Sequence, residues 1–183
     1  MSSDKHVLPL ENMSDRHPGL TPEIAAYYHQ AARVCLDRHH VAPTDFVLCE
    51  EEKELVAQVN WERVDDRGRA AWGNEIDTTE TGAYACSLAA AELMRSLVAI
   101  RRAETGTGAD YYIGPFGRVA DDLEDCYRLE VSGTDLGSID TIKRRLRQKV
   151  EQALAGKSNL PAFAAVVGFQ AQLIMIKAVE DLS

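Results

Sequence analysis

The sequence predicts an α/β (α+β) domain in which helices flank a mixed central sheet. One observation is an alanine- and leucine-rich helical segment over about 78–97, followed by three β-like runs. Another is a second helical segment over about 138–155, followed by the apolar run Ala162–Phe169. Successive strands followed by a helical crossover are typical of a mixed sheet covered by helices. We therefore expect the order helix, three strands, helix, strand from residue 78 onwards.

Length and composition are those of one globular domain. The chain has 183 residues, of which 45% are hydrophobic, enough for a core without disulfides. Its net charge of -9 repels polyanions, so a nucleic-acid partner would need a locally basic surface. The four cysteines form no CxxC pair, and this scattered pattern predicts reduced thiols and not a disulfide framework. With no signal peptide and no apolar run of membrane-spanning length, we expect a cytoplasmic protein without a membrane partner.

The first part of the chain is predicted to consist of a flexible N-terminal segment and an N-terminal extension of the domain. Residues 1–20 are polar, contain prolines and predict a flexible segment. Residues 21–183 then form a single domain, and 21–77 supply an N-terminal helix and a hairpin. Thr21 is the expected cap of that helix, since Pro22 and Glu23 follow it. The hairpin joins β-like runs over 45–49 and 55–64.

The core is predicted over residues 78–169. Its three strands are expected over 98–104, 109–113 and 126–131, with a turn-rich, acidic link before the third. Ser138 caps the second helix, in which Ile142, Leu146 and other apolar residues recur at helical spacing, and Gly156 ends it. The crowded apolar residues of 172–179 leave a last strand and a short helix as alternatives.

Two acidic residues mark the chemistry of this core. Asp110 stands at the head of the second predicted strand, and Glu130 lies on the third. Side chains alternate along a strand, so Glu130 and Ser132 share one face. If the two strands are neighbours, Asp110 and Glu130 converge, and paired carboxylates suit a hard divalent cation such as Mg2+ or Mn2+. The alternative is that Asp110 ends a turn and Glu130 faces solvent.

This order of elements, with Asp110 on the second strand and Glu130-Val131-Ser132 on the third, resembles the PD-(D/E)XK nuclease superfamily, the restriction-endonuclease-like fold. The resemblance covers about Thr78 to Phe169. It implies that Asp110 and Glu130 ligate a metal, and that Glu80, on the preceding helix, is a third acidic residue, with Glu75 and Glu92 as weaker matches to that position. In the family the third strand ends in an acid, any residue, then Lys. Here Ser132 holds the lysine position, so another basic residue takes that role or the site is inactive.

The densest basic run of the chain is Lys143-Arg144-Arg145, with Arg147 and Lys149 beyond it. It fits the solvated face of an amphipathic helix, and it also fits contacts with a phosphate backbone. A separate group, Cys35, His39, His40 and Cys49, has donor atoms for zinc but lacks a tight pair of thiolates.

Two functions follow as expectations. The first is a metal-dependent phosphodiesterase acting on nucleic acid, with Asp110, Glu130 and Glu80 holding the metal and Ser132 holding a water. In this reading Lys143, Arg144 and Arg145 contact the substrate backbone, and the protein works as a homodimer or a subunit, for example in defence. The second is a catalytically inactive protein on the same scaffold that serves as a binding, regulatory or immunity-type partner.

Overall fold

The computed structural model describes residues 5–179. Its helices are α1 (Pro22–His39), α2 (Asp66–Ala71), α3 (Glu75–Arg95) and α4 (Ile139–Ala155), preceded by a single 3-10 turn at Met13–Asp15. Its strands are β1 (His6–Val7), β2 (Thr44–Glu50), β3 (Lys53–Val59), β4 (Leu97–Arg102), β5 (Tyr111–Pro115), β6 (Tyr127–Thr134), β7 (Ala162–Gly168) and β8 (Leu173–Val179).

The described strands form one mixed sheet in the order β1-β3-β2-β8-β7-β6-β5-β4. β4, β5 and β6 pair antiparallel, and α4 then carries the chain across so that β7 lies parallel to β6. The predicted mixed sheet with flanking helices is therefore confirmed, as is the order helix, three strands, helix, strand. Every residue of β7 is buried, because this strand lies in the middle of the sheet with helices on both faces.

The helices lie in two layers. α1 and α3 cover one face of the sheet, where they share a core with Leu129, Val131 and the alternate residues of the neighbouring strands. α4 covers the other face through Ile142 and Leu146. Small residues let α1 and α3 approach closely, since a Cβ at Gly82 would lie 3.0 Å from the Ala32 backbone.

Capping residues explain most helix boundaries. Thr21 accepts a hydrogen bond from the Ile24 amide, and Ser138 accepts one from Thr141, both as expected. α3 begins at Glu75, three residues before the predicted start, because Asn74 accepts hydrogen bonds from the amides of Ile76 and Asp77. The alternatives left open for 172–179 resolve to a strand, β8, which pairs antiparallel with β7.

The N-terminal segment differs from its prediction. Residues 1–4 lie outside the described part, but residues 5–20 are packed against the domain rather than flexible. Leu8, Leu10, Met13 and Leu20 are buried. His17 is fully buried, and its Nδ1 accepts a hydrogen bond of 2.9 Å from the Ala99 amide of β4. Widely spaced apolar side chains anchor this segment, and its prolines and polar residues conceal that pattern in the sequence.

No helix within residues 5–179 combines the length and apolar character needed to cross a membrane. All four cysteines are free thiols, as the sequence predicts.

Candidate active site

The site begins where β5 and β6 part. The two strands pair only from Tyr111 to Ile113, against Leu129 to Tyr127. Asp110 precedes this ladder, and its amide donates a 2.8 Å hydrogen bond to the Leu129 carbonyl. Its side-chain Oδ2 accepts a hydrogen bond of 2.8 Å from the Val131 amide. Asp110 therefore extends the pairing by one step with its carboxylate, and the rest of β6 is open on that side.

Glu130 lies on the part of β6 that follows this fork. The structure thus brings Asp110 and Glu130 close together, but Asp110 lies in the bend just before β5 and not on the strand, because β5 begins at Tyr111 and not at residue 109 as predicted. The side chains are 19% and 11% exposed, so both carboxylates are largely withdrawn from water. A cavity of about 310 Å³ opens beside them between α3 and α4. We call it the fork cavity; it is lined by Glu80, Tyr84, Asp110, Val131, Ser132, Arg145, Gln148, Lys149 and Gln152.

A lysine reaches this site from a helix. Lys149 of α4 donates a hydrogen bond of 2.8 Å from Nζ to Glu130 Oε1. Its side chain is 20% exposed. Because residue 132 is a serine, β6 has no lysine at the position where the family carries one. Lys149 instead supplies an ammonium group to Glu130 from the other side of the cavity. This residue was not singled out in the sequence as part of the site.

A signal for Lys149 is present in the helix pattern. Ile142, Leu146 and Ala153 are the buried residues of α4. Lys149 follows Leu146 by three positions and precedes Ala153 by four, so it belongs to the same inward stripe. A lysine inside a buried stripe needs a partner, and the strand below offers Glu130.

The electrostatics of Glu130 reflect competing effects. Burial raises the pKa of its carboxyl, the Lys149 hydrogen bond lowers it, and the nearby charge of Asp110 raises it again, with a net shift upwards. Two close carboxylates in a poorly solvated place favour a cation or a proton between them. Lys149 provides part of that positive charge.

Asp110 is held by residues that the sequence analysis did not select. Tyr84 of α3 donates a 3.0 Å hydrogen bond to Asp110 Oδ1 and accepts one of 3.1 Å from Arg102. The Arg102 guanidinium also lies 3.7 Å from Asp110 Oδ1. Burial, followed by the charge of Asp110, raises the pKa of Tyr84 to about 12, so the phenol keeps its proton at neutral pH. No local pattern marks Tyr84, because its contact depends on how α3 crosses the sheet.

Comparison of the chain with protein-family models, with curated proteins and with solved structures finds no match. The geometry of the chain itself is therefore what indicates a function. Its central elements are the carboxylates of Asp110 and Glu130 and the ammonium group of Lys149.

The remaining predicted acid and the serine also border the fork cavity. Glu80 lines it from α3 and is exposed, and Ser132 lines it from β6 and is buried. Within residues 5–179, no group of three or more His, Cys, Asp or Glu side chains is arranged to hold a metal ion. A cation at the fork would therefore have Asp110 and Glu130 as its protein ligands, with water or substrate oxygens completing the shell.

The donors considered for zinc have separate partners. Cys35 donates to the Thr78 carbonyl, His39 Nε2 lies 2.9 Å from Asp135, and His40 Nε2 lies 2.7 Å from the Phe169 carbonyl.

The basic run of α4 does not act as one cluster. Successive residues point about 100° apart around a helix, so Lys143, Arg144 and Arg145 spread over more than half of its circumference. Arg145 lines the fork cavity. Lys143 lies on the other flank, where its charge lowers the pKa of Cys49 against the upward effects of burial and Glu54. Of the three residues, Arg145 has the position to meet a ligand in the cavity.

Proposed function

We propose that the protein is a metal-dependent phosphodiesterase of the PD-(D/E)XK type that acts on nucleic acid. One observation carries the proposal: at the fork of β5 and β6, the carboxylates of Asp110 and Glu130 converge with the Lys149 ammonium group beside a cavity. The element order supports it, as do the acid that precedes β5 and the acid on β6. Lys149 supplies from helix α4 the positive charge that Ser132, at the family's lysine position, does not supply from the strand.

The donor set fits Mg2+ or Mn2+. These ions accept one or two carboxylates and complete their shell with water and substrate phosphate oxygens. A bound metal would activate water and neutralise charge on the scissile phosphate. Asp110 is oriented for this by the Val131 amide and Tyr84, and Glu130 lies across from it.

The other residues have roles set by their positions. Lys149 places a positive charge where negative charge develops on the phosphate, in a site of low exposure where such a charge is most effective. Arg145 lies at the cavity wall and contacts substrate phosphate. Ser132 and Glu80 border the cavity and hold water there.

A second function is supported by how completely the acids are paired. Both oxygens of Asp110 accept a protein hydrogen bond, and Glu130 Oε1 accepts one from Lys149. A site satisfied in this way stands without a cation, and the net charge of -9 opposes nucleic acid. The second candidate is therefore a catalytically inactive domain that binds a protein or regulates one. The cytoplasmic location expected from the sequence remains a prediction.

The test is cleavage of single- and double-stranded DNA and RNA with Mg2+ or Mn2+. We expect wild type to cleave at least one substrate, and Asp110→Asn, Glu130→Gln and Lys149→Met to lose cleavage while they remain folded. Matched controls are Asp140→Asn, Glu151→Gln and Lys157→Met, which change exposed residues outside the fork cavity. No cleavage by wild type on any substrate would reject the enzyme and leave the binding protein.

Moving the lysine separates lost chemistry from lost structure. Side chains two apart on a strand share a face, so Ser132→Lys places an ammonium group on the same side of β6 as Glu130. In the Lys149→Met background, Ser132→Lys should restore part of the cleavage. Calorimetry should show Mg2+ or Mn2+ binding to wild type and weaker binding to Asp110→Ala and Glu130→Ala. Equal binding of the metal by the three proteins would show that Asp110 and Glu130 are not its ligands.

A further inference from the structure

A second cavity, of about 430 Å³, lies in the N-terminal extension and carries arginines. Arg38 of α1, Arg63 of the segment after β3 and Arg69 of α2 line it, together with Trp72. Asp37 and Glu75 are the acids on its wall. We call it the arginine pocket. Of these residues only Glu75 was considered from the sequence, as a weaker match to the helix-borne acid of the site.

Two of the three arginines of this pocket are paired with acids, and the third has no acidic partner within residues 5–179. Both oxygens of the Asp37 carboxylate accept hydrogen bonds of 2.7 Å, from Trp61 Nε1 and from the Val64 amide. Arg69 is held by Asp66 and the Val64 carbonyl. Arg38 pairs with Asp135 at 3.3 Å. The exposed Arg63 side chain has no hydrogen bond or ion pair within residues 5–179, so its guanidinium donors are available to a ligand. Arginine recognises phosphate through its forked donors.

An exposed aromatic side chain stands beside the arginines. The Tyr27 ring lies 4.8 Å from the Trp72 ring, centroid to centroid, and Tyr27 is 53% exposed. Basic side chains next to an accessible aromatic ring are typical of surfaces that bind single-stranded nucleic acid, because a base stacks on the ring while its phosphate meets the charge.

A third cavity joins the arginine pocket to the site. It has a volume of about 290 Å³, shares Glu75 with the arginine pocket, and shares Glu80 and Arg145 with the fork cavity. From Glu75 to Tyr84 the rise along α3 is about 14 Å, the length of about four phosphates at the roughly 3.4 Å spacing of a stacked strand. Thr134 lines this third cavity; it is 5% exposed, and its Oγ1 has no hydrogen-bond partner within the described chain.

We propose that the arginine pocket binds phosphates of a single nucleic-acid strand whose next segment crosses the third cavity and enters the fork cavity. The direction of the strand rests on the proposed function of the fork. The binding itself depends on Arg63 and Tyr27 and is measured without catalysis.

The experiment is fluorescence anisotropy of a labelled single-stranded oligonucleotide, as DNA and as RNA, in EDTA and over a series of salt concentrations. Arg63→Gln should bind about five- to tenfold more weakly than wild type at low salt, and its salt slope should fall by about 0.7, the value for one phosphate contact. Tyr27→Ala should lose about fivefold or more, whereas Tyr27→Phe keeps the ring and should bind like wild type. Arg67→Gln removes the same charge from a neighbouring exposed position outside the pocket and is the matched control.

The outcomes separate this inference from the proposed function. Binding that depends on Arg63 and Tyr27 supports the inference even if no variant or metal yields cleavage. Equal losses in Arg63→Gln and Arg67→Gln, or equal losses in Tyr27→Ala and Tyr27→Phe, would overturn it. The same is true if wild type binds inorganic phosphate or a mononucleotide as tightly as the oligonucleotide, because the ligand would then be a free phosphate compound and not a strand.

Discussion

Lys149→Met tests the central contact of the site through stability alone. The change keeps the aliphatic stem in place and removes the ammonium group that donates to Glu130 Oε1 over 2.8 Å. The Glu130 side chain is 11% exposed. Without Lys149, burial and the charge of Asp110 still act on Glu130, and both raise its pKa. The folded protein must accommodate an unpaired carboxylate or protonate it.

The size of the effect follows from the partial burial of the pair. Exposed ion pairs contribute up to about 1 kcal/mol, and removing one partner of a fully buried pair costs about 3–5 kcal/mol. With side chains 20% and 11% exposed, Lys149 and Glu130 lie between these limits. We expect Lys149→Met to lower the free energy of unfolding by about 2 kcal/mol at neutral pH.

The dependence on pH has a defined sign. The folded pKa of Glu130 lies above its ordinary value of 4.5, so its protonation favours the folded state. That contribution is complete below pH 4.5 and is lost as the pH rises through the raised pKa. Removing Lys149 raises the pKa further. The difference between wild type and Lys149→Met is therefore largest at neutral pH and shrinks below pH 4.5, where Glu130 is protonated in both proteins.

Urea denaturation at neutral pH and below pH 4.5 measures the difference in the free energy of unfolding between wild type and Lys149→Met. Lys157→Met, an exposed lysine beyond the end of α4, is the control and should change stability by less than about 0.5 kcal/mol. Glu130→Gln in the Lys149→Met background should recover part of the loss, because a neutral amide needs no counter-charge. If Lys149→Met matches the control at neutral pH, or if its loss of stability is the same at both pH values, Lys149 does not stabilise the fold by pairing with ionised Glu130.

Two further changes test the packing around the fork. Gly133→Ala should lower stability by about 1–3 kcal/mol in thermal unfolding, because the new Cβ would lie 2.8 Å from the Thr79 carbonyl of α3; an unchanged melting temperature would mean that α3 moves away freely. Tyr84→Phe removes the donor to Asp110 and should cost about 1 kcal/mol at neutral pH. Since the pKa of Tyr84 is raised to about 12, this difference should fade as the pH rises from 10 towards 12, and a constant difference would contradict it.

The fold was predictable because local signals agree with the tertiary structure. The apolar run that became β7 is buried on both faces, and Ser138 and Thr21 cap the helices they were expected to cap. The adjacency of Asp110 and Glu130 followed from consecutive antiparallel strands. The packing of residues 5–20 was missed because it depends on separate anchors, such as Leu10 and His17, that meet the core at different places.

The residues that complete the site were less predictable, for different reasons. Lys149 was accessible to reasoning from helix periodicity, since it interrupts the stripe of Ile142 and Leu146. Tyr84 was not, because the rotation of α3 over the sheet decides which of its side chains reaches Asp110. Arg102 was not either, because it meets Tyr84 and Asp110 from the end of β4. Lys143 and Arg145 lie on different flanks of α4, because neighbours in sequence point about 100° apart around a helix, and their predicted contact with nucleic acid remains a prediction.

Asp110 has a structural role at the fork as well as its proposed catalytic role. Its Oδ2 accepts from the Val131 amide, which fixes the carboxylate by the backbone of β6 before any ligand arrives. Asparagine at this position retains a side-chain oxygen for the same amide while losing the charge, although its amide nitrogen cannot accept the hydrogen bond that Tyr84 donates to Oδ1. Asp110→Asn therefore changes the electrostatics of the site more than its architecture. A loss of cleavage in that variant, with unfolding close to wild type, would show that the negative charge of Asp110 and not the shape of the fork is what the reaction requires.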